Sequence, residues 1–105
     1  MKILIFSHFD ARLGPVPFLH FPDSFDKDIL NQIPDLMNIF DEKGFFVHIV
    51  GDFQSANLNF EVYNPNARGD VEMLLISIIL TEGDLNIKLA EELLKNFANE
   101  IKKNR

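Results

Sequence analysis

The chain contains no cysteine, which excludes disulfides, thiolate metal ligands and a cysteine nucleophile. Such a composition fits a reducing cytosol, and a cytoplasmic location is the expectation. Basic residues are scarce, ten Lys and Arg against sixteen Asp and Glu, for a formal charge of -6. Nucleic-acid binding needs clustered cations to neutralise phosphates, and the one basic cluster is Lys102, Lys103 and Arg105 at the tail, so no nucleic-acid partner is expected. No apolar run approaches the roughly 18 residues of a membrane helix, and Ser7, His8 and Asp10 cut short the apolar start, so neither membrane insertion nor a signal peptide is expected. The five glycines are scattered through turns, without a phosphate loop or a dinucleotide fingerprint, so the chain is not itself a GTPase.

What is present suffices for one domain spanning residues 1–105. A hydrophobic content of 47% with 25% charged residues is that of a globular protein with its own core and argues against disorder. The organising stretch is Val71 to Thr81, apolar at positions of both parities. A strand covered on both faces has this pattern, and Ile76, Ile78 and Ile79 favour strand over helix. Ile3 to Phe9 has the same character and forms a second central strand. Val16 to Phe21 returns from it as a hairpin, and Pro15, Pro17 and Pro22 put that strand at a sheet edge, because proline cannot donate a ladder hydrogen bond.

Asp23, Ser24 and Asp26 are candidate N-caps of a helix running to about Glu42, with Ile29, Leu30, Ile33, Leu36, Met37 and Phe40 on one stripe. Pro34 predicts a kink or break near Gln32 to Asp35, and Gly44 is the expected C-cap. Phe45 to Val50 is a short strand. Leu58 to Tyr63 alternates Leu58, Phe60 and Val62 with Asn59, Glu61 and Tyr63, which predicts one partly wet face. After Gly83, with Asp84 or Asn86 as cap, a last helix presents Ile87, Ala90, Leu93, Leu94, Phe97 and Ile101 on one face.

The order is therefore β-β-α-β-β-β-α, an α+β class. Two doubly apolar strands need cover above and below, so one helix is expected on each face of a five-stranded antiparallel sheet in the order 2-1-5-4-3. Its two edges differ. Proline guards one, whereas Phe45 to Val50 is free of proline and apolar, a template for pairing with another chain. A homodimer through this edge is expected, with Met37, Phe40, Phe45, Val47, His48 and Ile49 at the interface.

The element order, Phe9-Asp10 before Gly14-Pro15, and Ala67-Arg68-Gly69 ahead of the long apolar strand together resemble the small archaeal proteins of the longin and roadblock superfamily. The resemblance covers nearly the whole chain and is closer to the longin (profilin-like) arrangement, which begins with the hairpin. It implies a dimerising adaptor without catalysis of its own or a cofactor. Such adaptors serve as platforms for small Ras-like GTPases in vesicle trafficking or signalling, pairing with themselves or with a related longin or roadblock chain. The chain departs from the longin pattern in having only about 20 residues after its last strand, enough for one C-terminal helix where longins have two.

Residues that carry chemistry are few. His8, His20 and His48 lack helical metal-ligand spacing, and Ser7 and Ser77 fall in central strands, where a satisfied core hydroxyl is the plain reading, so no catalytic or metal site is expected. Arg68 on its turn is a candidate contact for a partner, against a simple pairing with Glu72 or Asp70. Asp35, Asp41 and Glu42 form an acidic rim beside the apolar edge, which is either a solvated helix face or a landing site for a basic patch. The competing function is a sensory domain with a small molecule between sheet and helix, held by polar groups such as His8, His20 or Ser77.

Overall fold

The elements follow one another as β1 (Lys2–Asp10), β2 (Gly14–Phe21), α1 (Lys27–Gln32), α2 (Leu36–Ile39), β3 (Gly44–Val50), β4 (Phe53–Tyr63), a 3₁₀ turn (Arg68–Asp70), β5 (Val71–Leu80) and α3 (Ile87–Lys103). The computed structural model describes residues 2–10, 12–40, 42–50 and 52–103, with Val50 and Arg68 described by their backbone alone. The strands form one antiparallel sheet in the order β2-β1-β5-β4-β3.

The long apolar run is the middle strand, and its two parities enter two separate cores. Leu75 and Ile79 join Ile3 and Ile5 beneath the α1–α2 segment, with Ile29, Ile33, Leu36 and Met37 packed on them. Leu74 and Ile76 face the other way and join Ala56, Leu58, Phe60 and Val62 beneath Ala90, Leu94 and Ala98 of α3. Each layer thus buries one face of the sheet. Among the described residues, no helix is long and apolar enough to cross a membrane.

Asp26 caps α1, its carboxylate accepting the Asp28 N–H at 2.9 Å. The helix stops at Gln32 and resumes at Leu36, which is the break that Pro34 requires. The second piece ends at Ile39, short of Glu42, with Phe40 as its C-cap, and Gly44 opens β3 at φ 134° instead of capping a helix. The reason lies in the sheet. Asn59 donates its amide N–H groups to the Phe40 and Glu42 carbonyls, so a strand side chain takes the acceptors that a further helical turn would need.

Other expectations need correction. β4 begins at Phe53, not Leu58, because it pairs along the whole of both β3 and β5. The face that carries Asn59, Glu61 and Tyr63 is partly wet as the alternation predicts, with Tyr63 62% exposed, but Asn59 is only 2% exposed because the α2–β3 connection covers it. The buried stripe of α3 is rotated to Ala90, Leu94 and Ala98, which leaves Ile87, Leu93 and Phe97 exposed. Asn86 is its cap, accepting the Leu89 N–H at 3.0 Å. The helix packs chiefly over β4 and β5, and its flank toward β1 and β2 is less covered, with Leu93 and Phe97 exposed.

The sheet also forks. β1 pairs with β5 as far as His8 opposite Leu74, while β1 continues beside β2 to Asp10 and β5 continues beside β4 to Val71.

Candidate interaction surface

β3 lies at the free edge of the sheet, paired on one side with β4 and on the other with no strand among the described residues. The Ser55 hydroxyl donates to the His48 carbonyl at 3.1 Å, and the Asn57 amide to the Phe46 carbonyl at 3.4 Å, so these carbonyls are turned toward β4. Successive residues of a strand point their backbone groups to alternate sides, which turns the N–H and C=O groups of Phe45, Val47 and Ile49 outward. The open edge therefore offers three residues of unpaired backbone in one row.

The side chains along this edge are apolar on both faces. Val47 is 39% and Ile49 is 68% exposed on the α3 side. On the other side Phe40 stacks on Phe46 with ring centroids 4.2 Å apart and meets His48 edge-on at 5.7 Å. Of the expected interface residues, Phe40, Phe45, Val47, His48 and Ile49 thus lie on or beside the edge. Met37 does not, since it is buried in the core under α2. The exposed apolar residue of that helix is Ile39, at 64%. Sequence reasoning missed it because Ile39 falls outside the amphipathic stripe, and that misfit was the available signal.

A groove of about 360 Å³ runs between the end of α2 and the start of β3, lined by Ile39, Phe40, Glu42, Lys43, Phe45 and Phe46. Glu42 and Asp35 are exposed, and Asp41 lies outside the described residues. Lys43 reaches Glu61 at 3.8 Å, an exposed pair. Arg68 belongs to the β4–β5 connection, not to this edge, and its side chain lies outside the description.

The opposite edge, β2, carries Pro15 and Pro17 and a register shift against β1, which blunts it for pairing. Next to it, Phe18, Phe21, Leu93 and Phe97 are half exposed, an apolar area that periodicity alone did not reveal. His8 and His20 do not meet across the hairpin. His8 stands opposite Val16 and touches Glu72 at 3.3 Å, whereas His20 stands opposite Ile5 and packs edge-on against Phe25. Ser7 and Ser77 are buried as expected, but neither hydroxyl has a hydrogen-bond partner. Among the described residues, no group of three carboxylate or imidazole side chains is arranged to hold a metal ion. Comparison with known proteins finds no matching family model and no matching curated protein.

Proposed function

We propose that the chain is a non-catalytic, homodimeric scaffold of the longin and roadblock type, with a longin-like (profilin-like) topology, that binds a small Ras-like GTPase or a related regulatory protein. The observation that carries this reading is the bare β3 edge, with outward backbone at Phe45, Val47 and Ile49 and apolar side chains on both of its faces. Two copies meeting antiparallel make the most hydrogen bonds when Val47 faces its own symmetry mate and Phe45 faces Ile49 of the partner copy. Phe46 and His48 then oppose each other across the axis, with Phe40 and Ile39 stacked above them. The acidic rim of Asp35, Asp41 and Glu42 suits a partner with a basic patch, whose association would weaken with salt.

Sedimentation equilibrium tests the scaffold: twice the monomer mass is expected, and a monomer at every concentration overturns it. Affinity capture with GTP-locked and GDP-loaded cytosol then tests the partner class. A second reading, a sensory domain for a small molecule, is favoured by the cavities that open where β1 and β5 part.

A further inference from the structure

Four buried side-chain atoms of the described residues have no hydrogen-bond partner: Ser7 Oγ, Ser77 Oγ, Asn57 Oδ1 and Asn59 Oδ1. All four belong to the face of the sheet beneath α1 and α2. Ser7 and Ser77 share strand parity with Ile3, Ile5, Leu75 and Ile79 of that core, and Asn57 and Asn59 alternate with Ala56, Leu58 and Phe60 of the other. Across the ladders Ser77 stands opposite Asn57, and Leu75 stands opposite both Ser7 and Asn59, so the four are neighbours in register.

Three of these residues are sealed, but Asn59 lines a cavity of about 330 Å³ under α2, together with Phe9, Met37, Asn38, Phe40 and Met73. The cavity lies past the His8–Leu74 pair, where β1 and β5 have parted. Its volume is near the lower end of the range of about 300–1,000 Å³ for small-ligand sites, which suits a molecule of one or two rings. Asn59 is 2% exposed, and its amide is oriented by Nδ2, which donates to the Phe40 and Glu42 carbonyls. The group left over is an oxygen, which only accepts. A ligand that donates a hydrogen bond to it satisfies a buried acceptor that the protein leaves unpaired. A carboxylate would set acceptor against acceptor, and among the described residues no charged side chain lines the cavity to offset a cation taken out of water. The remaining walls are mainly two phenylalanines and two methionines, and both rings and thioethers pack well against an aromatic ligand.

We propose that the cavity under α2 binds a small uncharged aromatic molecule with one hydrogen-bond donor, of the phenol or indole class. The ring lies among Phe9, Phe40, Met37 and Met73, and its O–H or N–H donates to Asn59 Oδ1. This rests on the sensory reading, gives it a ligand class and does not depend on dimerisation. Labelled protein is titrated with phenol and indole while the Met37 and Met73 methyl and the Asn59 side-chain amide resonances are followed by NMR. Anisole and 1-methylindole are the matched compounds without the donor. The expected result is a saturable shift at these three residues with phenol and indole, and binding of the methylated compounds about tenfold weaker, as loss of one hydrogen bond to a buried acceptor requires. Phe9 is half exposed, so Phe9→Ala should stay folded, which its backbone spectrum checks, and should bind about fivefold more weakly for want of a ring contact. The proposal is overturned by no saturable shift with phenol or indole, by equal affinity for the methylated compounds, by shifts centred away from Met37, Asn59 and Met73, or by unchanged affinity in folded Phe9→Ala. A fragment screen on the same spectra keeps the two ideas apart: binders found only elsewhere sink this site alone, and no binder anywhere sinks the sensory reading with it.

Discussion

Leu93 and Leu94 are neighbours on α3, yet Leu94 is completely buried against the sheet and Leu93 is 42% exposed. Leu94→Ala should therefore cost about 2–5 kcal/mol of stability, the range for a fully buried leucine, and Leu93→Ala less than about 1 kcal/mol. Urea denaturation of the two variants measures the difference. Equal losses would mean that the helix packs on its other flank.

A charge at the open edge should separate the proposed dimer without unfolding the protomer. Val47→Glu or Ile49→Glu puts a carboxylate on a strand residue that has no covering layer, so a folded monomer is expected by circular dichroism and sedimentation. The unvaried protein should melt at a higher temperature as its concentration rises, and the variants should not. A variant that keeps the dimer mass removes β3 from the interface.

Asn57 ties the edge strand to the sheet, donating to the Phe46 carbonyl and to the Ser55 carbonyl and hydroxyl. Asn57→Ala leaves those buried acceptors short of a donor and should cost about 1–3 kcal/mol. Amide hydrogen exchange is the informative measurement. Faster exchange confined to β3 and β4 is expected, and uniform loss of protection would show that Asn57 supports the whole sheet instead.

Asp10 supplies a dependence on acidity. Its carboxylate accepts the Leu13 and Arg12 N–H groups at 2.9 and 2.8 Å, so its pKa is lowered in the folded protein. A depressed folded pKa means that the contribution is fully present above the unfolded value of about 3.9 and is lost as pH falls through the lower folded value. The stability gap between the unvaried protein and Asp10→Ala should thus be constant from neutral pH to about pH 4 and should close below it. Thermal melts across that range measure it, and a gap that widens in acid would contradict the hydrogen-bond account.

Much of the architecture could be read from residues close together in sequence. The run Val71 to Thr81 is apolar on both parities because both of its faces are covered, and α1 and α2 are separate because Pro34 has no N–H to give. The contrast between the edges was equally legible, since prolines line β2 and none interrupts β3. The interface candidates followed from that contrast. Met37 was misplaced because an apolar helix residue gives no sign of whether its partner is its own core or another copy.

Patterns with periods of two and 3.6 residues are properties of short stretches, so strand, helix and break follow from neighbours in the chain. The lateral position of α3, the burial of Asn59 beneath the α2–β3 connection, and the level at which β1 leaves β5 depend on groups far apart in the chain meeting in space. Those three outcomes set which apolar surface remains open and where the acceptors gather. A side chain's type is written in its codon, but the company it keeps is decided only when the layers pack.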